Sequence, residues 1–223
     1  PDAAPWDTEH PNLYRCIAEL LDTDGQVLHS RETSFGFRTA VFRADGFYLN
    51  GKKTFLRGLN RHQSYPYIGY AAPESLQRQD ARILKNELHC NAVRTSHYPQ
   101  SQYFLDECDR LGLLVFTELP GWQHIGDGAW KDRACAMLRE MLLQNRNHPS
   151  IILWGVRINE SVDDDEFYTR TNQIAHALDP SRATSGVRYL EKSHLLEDVY
   201  AYNDFSHNGS NAGAKRKKDV TPD

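Results

Sequence analysis

The spacing of apolar residues along this chain changes once, near residue 54. Before that point it has a period of two. In LYRCIAELLDTDGQVLHSRETSFGFRT, residues 13–39, two alternating runs flank Asp22-Thr23-Asp24-Gly25, the pattern of a β-hairpin with an Asp-Gly turn. FYLNGKKTFLRG, residues 47–58, reads as a second hairpin with Asn50-Gly51 at its tip. From there on, short apolar runs alternate with longer segments of helical period. The runs are TFLRGLN (54–60), CNAVRTS (90–96), LLVFTEL (113–119), IILWGVRI (151–158), ATSGVRY (183–189) and EDVYAYND (197–204). A helix is expected over 73–88, opened by Pro73, with Leu76, Ile83, Leu84 and Leu88 on one face. A second spans 101–111, with Tyr103, Phe104, Cys108 and Leu111 inward and Gly112 as its stop. A third spans 129–147, striped by Trp130, Ala134, Met137, Leu138, Met141 and Leu142. A fourth spans 163–178 and opens on Asp163, Asp164, Asp165 and Glu166, which suit the positive end of a helix dipole.

Strand, helix, strand, helix with near-continuous apolar strands is the order of a parallel sheet covered by helices, an α/β fold. A doubly wound sheet and a (β/α)8 TIM barrel both fit six such strands. No G-x-G-x-x-G follows any of them, which weakens a nucleotide-binding reading. The organisation expected is therefore two parts. Residues 1–43 are the last strands of a β-sandwich, too few to stand alone. Residues 44–223 begin the α/β domain. Neither PDAAPWDTEHPNLY at the start nor KRKKDVTPD at the end has a finished look, so a fragment of a longer protein is expected.

Composition narrows the class. The 223 residues are 39% hydrophobic and 25% charged, with a formal net charge of -4. This balance points away from nucleic acid and anionic membranes, and no apolar run approaches the roughly 20 residues of a membrane span. KRKK at 215–218, behind a Gly/Asn-rich lead-in, is read as a solvated loop. Cys16, Cys90, Cys108 and Cys135 form no C-x-x-C pair and sit in apolar stretches. They read as free, buried thiols. With no signal-peptide pattern, a cytoplasmic location is expected.

The chemistry gathers where the strands end. The first run is followed by Asn60, Arg61 and His62, and the second by Arg94, Ser96, His97 and Tyr98. Glu118, then Trp122 and His124, follow the third, and Asn159-Glu160 the fourth. Tyr200, Tyr202, Asn203 and Asp204 end the sixth. C-terminal ends of parallel strands share one face, and in a barrel that face carries active sites. Singly, each residue has a plainer reading: His62 at a core edge, Arg94 paired with Glu118, Tyr98 packed in a turn before Pro99, Glu160 as a rim charge. Together they resemble a cleft for a sugar, with donors and acceptors for hydroxyls and aromatic faces for the ring.

These residues also carry a family resemblance. NAVRTSHYPQSQYFLDECDRLGLLVF (91–116) and NRNHPSIILWGVRINE (145–160) resemble the two signatures of glycoside hydrolase family 2, which includes β-galactosidases and β-glucuronidases. FLRGLNRHQ (55–63) is similar to the family's first barrel strand. HPNLYRCIAELLD with SFGFRT is similar to the last strands of its immunoglobulin-like domain. Within the family the likeness is to bacterial β-galactosidases. The resemblance implies an incomplete TIM barrel preceded by the end of an immunoglobulin-like β-sandwich. It also implies a retaining β-glycosidase that hydrolyses terminal non-reducing β-D-galactosides, with a β-galactoside or oligosaccharide as substrate and a homo-oligomeric parent.

By the same resemblance Glu160 is the general acid/base and Asn159 binds the sugar 2-hydroxyl. Arg94 lies beside the nucleophile, His62 and His97 contact hydroxyls, Glu118 orients its neighbours, and Trp122 and Tyr202 complete the substrate site. The family's nucleophile is a glutamate on the seventh strand, in a motif like S-E-Y that this chain lacks. Magnesium-dependent members carry Glu-x-His after the third strand. Here that stretch is Trp122-Gln123-His124, so no metal ligand is assigned beyond His124, and Mg2+ or Na+ would enter only as in some relatives. Retaining hydrolysis uses two carboxyls about 5–5.5 Å apart, one of them an acid whose pKa is raised. Partial burial and the neighbouring nucleophile are expected to raise that of Glu160. The fragment alone is expected to be inactive. The alternatives are another retaining β-glycosidase, such as a β-glucuronidase, a β-mannosidase or an endo-acting glucanase, and a non-catalytic carbohydrate-binding module.

Overall fold

The computed structural model describes residues 2–206 and 214–222. The Gly/Asn-rich lead-in before KRKK falls largely outside them. Strands β1 (Tyr14–Leu21) and β2 (Val27–Phe35) form the first antiparallel hairpin. Its turn is tied by Asp22, whose Oδ1 accepts from the backbone N of Asp24 at 2.9 Å and of Gln26 at 2.8 Å. Strands β3 (Ala40–Arg43), β4 (Gly46–Leu49) and β5 (Lys52–Thr54) form a small antiparallel sheet. Asn50 and Gly51, with φ of 49° and 80°, supply the two left-handed residues of its β4–β5 turn.

Six parallel strands follow: β6 (Gly58–Arg61), β7 (Ala92–Thr95), β8 (Leu114–Glu118), β9 (Ile151–Gly155), β10 (Ala183–Arg188) and β11 (Val199–Tyr202). They lie side by side in chain order, as successive right-handed βα units require. Helices α1 (Glu74–Arg82), α2 (Gln102–Leu111), α3 (Gly128–Asn145) and α4 (Asp165–Leu178) connect them. The curled sheet is an incomplete TIM barrel.

Two cores result, from alternation in β7 and β8 and from a register shift in β9 that leaves Ile152 and Leu153 on the same side. Val93, Val115, Ile151 and Trp154 face the helices and pack with Phe104, Leu105, Leu138, Leu142 and Phe167. Leu114, Ile152 and Leu153 face the other side and meet Phe47, Leu49 and Trp6. Trp6 is fully buried and donates its indole N–H to Asp109 O at 2.7 Å. Arg38 donates to the carbonyls of Pro149 and Ile151. The first segment is thus pinned under the N-terminal ends of β8 and β9, leaving the opposite rim for chemistry.

Several expectations change. Thr54 closes β5, so the first parallel strand starts only at Gly58. The expected 73–88 helix becomes π-helical over Ile83–Glu87. The wider turn rotates the end of the helix, which keeps Leu84 buried and turns Leu88 out to 53% exposure. Tyr103 is likewise exposed, and Leu105 takes the inward position. Asp163 stays outside α4, where Asp164 caps Phe167 N at 3.0 Å. Cys90, Cys108 and Cys135 are buried, but Cys16 is exposed, because the β1–β2 hairpin is uncovered on both faces. KRKK is not a plain loop: Lys217 and Lys218 open a short helix α5 (Lys217–Val220), and Tyr200 Oη donates to Val220 O at 2.8 Å.

Candidate active site

Arg94 leaves β7 on the barrel-interior side, as the alternation with buried Val93 and Thr95 dictates. Its guanidinium is the hub of the rim. Nε donates to Glu118 Oε1 at 2.6 Å and Nη2 to Asn159 Oδ1 at 2.6 Å, while Nη1 lies 3.5 Å from Asn203 Oδ1. The plainer reading of Arg94, a pair with Glu118, is therefore correct, and the pair is built into the site. Gly155 makes room for it: a Cβ there would stand 2.8 Å from both Cα and Cγ of Glu118.

His97 Nδ1 lies 3.1 Å from Glu118 Oε2 and 3.1 Å from Arg94 Nη2. Nδ1 cannot both donate to the carboxylate and accept from the guanidinium. Glu118 can only accept, so the proton belongs on Nδ1, which donates to its carboxylate. The His62 ring stands 5.4 Å from that of His97. Burial lowers the pKa of His62, and repulsion from His97 and Arg94 lowers it further.

Asn159 and Glu160 follow β9 and are fixed by both neighbours. Glu160 N donates to Val187 O at the end of β10, at 2.9 Å. From the other side the loop after β8 is stitched to them: Trp122 pairs with Asn159 in a parallel bridge, and Gln123 N donates to Asn159 O at 2.7 Å. Glu160 itself has φ +54° and Gln123 +61°, a left-handed backbone that non-glycine residues adopt at a cost. The Glu160 carboxylate then receives three side-chain donors. Trp122 Nε1 and Gln123 Nε2 reach Oε2 at 2.9 and 3.1 Å, and Asn203 Nδ2 reaches Oε1 at 2.7 Å.

Burial pushes the Glu160 pKa up, but the bonds from Trp122, Gln123 and Asn203, with the attraction of His97, outweigh it and hold the carboxyl below its ordinary value. This reverses the expected direction, because hydrogen bonds to the charged form favour it and no second carboxylate faces it among the described residues. Asn159 is 1% exposed, and its Nδ2 has no hydrogen-bond partner among the described residues.

His62, Arg94, His97, Glu118, Trp122, Asn159 and Glu160 are therefore one cluster, with the Trp122 ring 5.4 Å from that of His97. Tyr202 is half-buried, and Lys215 Nζ stands 6.0 Å from its ring centre. Its neighbour Asn203 is the residue that reaches Glu160. Asn203 lies in a polar strand end visible in the sequence, whereas nothing in the sequence marks Gln123. His124 packs edge-on against Trp130, 5.8 Å between centroids. Among the described residues it joins no group of side chains spaced to hold an ion; the one such group, Asp106, Asp109 and His148, belongs to the opposite rim. Nor do the side chains before it fit a divalent cation beside Glu160, since both turn N–H donors towards Oε2.

Comparison with known proteins gives the family. Residues 41–207 match the family described as "Glycosyl hydrolases family 2, TIM barrel domain", and residues 1–38 match "Glycosyl hydrolases family 2". The chain is 58% identical over 220 residues to a β-galactosidase of Thermoanaerobacterium thermosulfurigenes, covering 99% of this chain and 30% of that protein. It is 41% identical over 209 residues to a putative β-glucuronidase of Formosa agariphila, covering 88% and 25%. The solved apo structure of Bacteroides uniformis β-glucuronidase 3 superposes with a TM-score of 0.81 at 38% identity, over 90% of this chain and 27% of that one. The chain thus spans less than a third of each of these relatives.

Proposed function

This chain belongs to glycoside hydrolase family 2, and we propose that the full-length protein is a retaining β-glycosidase acting on terminal non-reducing β-D-galactosides, with Glu160 as general acid/base. The observation that carries this reading is the pairing of Glu160 with Asn159 at the end of β9. The acid sits beside a buried amide whose Nδ2 has no partner among the described residues, a donor suited to a sugar hydroxyl. A hydrogen bond to the 2-hydroxyl strengthens in an oxocarbenium-like transition state. His62 and His97 can exchange hydrogen bonds with other hydroxyls, and Trp122, 60% exposed, offers a ring face.

In such a mechanism Glu160 protonates the departing glycosidic oxygen, then takes a proton from the incoming water. A second carboxylate attacks the anomeric carbon. Glu118 is unsuited to that attack. Its side chain is 3% exposed, with Oε1 bonded to Arg94 and Oε2 to His97. The nucleophile is therefore to be sought in the further sequence of the full-length protein. A negative nucleophile beside Glu160 would raise its pKa from the depressed value found here towards that of a working acid. The galactoside assignment rests on the 58% identity to a β-galactosidase. The second reading, a β-glucuronidase, rests on the structural neighbours and is kept as an arm of the test.

The experiment is a panel of aryl glycosides, galactoside and glucuronide included, offered to the full-length protein and to Glu160→Gln. The galactoside should turn over fastest. The variant should lose about 100-fold or more with poor leaving groups, which need protonation, and far less with dinitrophenyl glycosides, which do not. Equal losses on both would remove Glu160 from the acid role.

A further inference from the structure

We propose that Gln123 is the positioning residue of Glu160, and that it and Trp122 hold the carboxylate through N–H donors where magnesium-dependent family members have the residues for a cation. The inference rests on the reading of Glu160 as the acid/base and names what aims it. Three observations converge on it. Gln123 Nε2 and Trp122 Nε1 both donate to Oε2, at 3.1 and 2.9 Å. Gln123 also ties its backbone to the same strand end, donating to Asn159 O at 2.7 Å. Finally, both Gln123 and Glu160 have left-handed backbones, with φ of 61° and 54°, so the contact is made by two residues in uncommon conformations.

The donors, as they are turned, leave no ligand for an ion in the same place. A divalent cation needs oxygen lone pairs; the Trp122 indole has none, and the Gln123 amide turns its N–H rather than its carbonyl to Oε2. They leave Oε2 paired and aimed. Oε1 is held from β11 by Asn203 Nδ2 at 2.7 Å. The two loops therefore grip one oxygen each, and the acid keeps its direction without a metal.

The charged and titratable groups around the carboxylate are few. His97, after β7, acts on it directly. Arg94 on β7 lies one contact away, through Asn203, and Glu118 on β8 lies behind Arg94 and His97. Tyr202, the last residue of β11, and Asp204 flank Asn203. None of these is altered by a substitution at Gln123, so such a substitution isolates the N–H donor.

The test is the pH profile of kcat/KM for the full-length protein, whose alkaline limb reports loss of the acid's proton. Removing a donor to the charged form raises the acid's pKa, adding a carboxylate raises it more, and adding a cation lowers it. Gln123→Met should move the alkaline limb up by about 1 pH unit, Gln123→Glu further up, and Gln123→Lys down. Gln123→Met should also lose roughly 10-fold on poor leaving groups, against under about 3-fold on dinitrophenyl glycosides. A residue that only filled space would give no such order of signs. Limbs that stay put in all the variants that fold, or that move the same way in Glu and Lys, overturn the proposal. So does a wild-type limb that moves when magnesium is stripped by a chelator, since a cation would then be touching Glu160. These outcomes differ from failure of the parent reading, in which wild-type protein cleaves no glycoside of the panel and both conclusions fall together.

Discussion

Asn159 is the residue whose surroundings state most directly what it lacks. Its Oδ1 is taken by Arg94 at 2.6 Å, while Nδ2 is buried without a partner among the described residues. An unpaired buried donor costs about 1–3 kcal/mol, and a sugar hydroxyl would recover it on binding. Asn159→Ala in the full-length protein should therefore lower kcat/KM about 100-fold, the scale on which a single transition-state hydrogen bond acts. The loss should shrink sharply on a 2-deoxyglycoside, which cannot use the bond. Equal loss on both sugars would refute the 2-hydroxyl assignment. At this scale the sequence was informative where a residue's role follows from its own strand end. Arg94, His97, Glu118, Asn159 and Glu160 were all placed at the C-terminal rim by counting strands. It was silent where the role depends on which loop leans on which. Gln123 and Glu160 are 37 positions apart, and no periodicity encodes their contact. Asn203 was visible as a polar residue, but the choice between it and Tyr202 turned on a side-chain direction that only the end of β11 sets.

Elements carry the site by being held apart and held together. Gly155 allows β9 to approach Glu118. On the helix side, Glu107 of α2 is 1% exposed and accepts from three arginines: Arg78 at 3.3 Å, Arg82 at 2.7 Å and Arg110 at 3.0 and 2.5 Å. The cluster ties α1 to α2. Burial alone would push the Glu107 pKa up, but the bonds from Arg110 and Arg82 override it and bring it from 4.5 down to about 2. A carboxyl whose pKa is depressed by folding contributes stability above its unfolded pKa and loses it as pH falls through the folded value. The thermal midpoint of the protein should therefore drop as pH falls from about 4.5 to about 2. Glu107→Gln should start lower at neutral pH and show a flatter fall across the same window. Melting curves from pH 2 to pH 7 check this, and parallel curves for the two proteins would rule the cluster out as a source of acid sensitivity. Helix and strand existence was legible because apolar spacing sets it. The π-helical turn at Ile83–Glu87 was not, because Leu84 and Leu88 fit an α-helical stripe equally well, and only packing turns one in and the other out.

For the whole molecule, the parallel order of the six strands followed from the alternation of short apolar runs and helical segments, and so did the single chemical face. What the pattern left open, a flat doubly wound sheet or a barrel, is decided by curvature, which no run of apolar residues states. The curled sheet of this chain has two unpaired edges among the described residues, β6 and β11. At the β6 edge Phe55 and Leu59 are 81% and 51% exposed. Beside β11, Phe205 is 50% exposed. An open edge with apolar flanks offers its free N–H and C=O groups to any other strand. In a second copy of the chain, β6 could pair with β11 in the same parallel sense and bury both flanks. Residues 1–223 produced alone should accordingly self-associate at concentrations in the range of about 1–100 μM, where such edges begin to pair. Sedimentation velocity across that range should show the sedimentation coefficient rising with concentration. Leu59→Lys sets a charge on the β6 edge and removes apolar surface there. It should shift the rise to higher concentration while far-ultraviolet circular dichroism is unchanged. A chain that stays monomeric throughout, or a Leu59→Lys variant that associates as readily as wild type, would place the association, or its absence, elsewhere than at the open edge of the barrel.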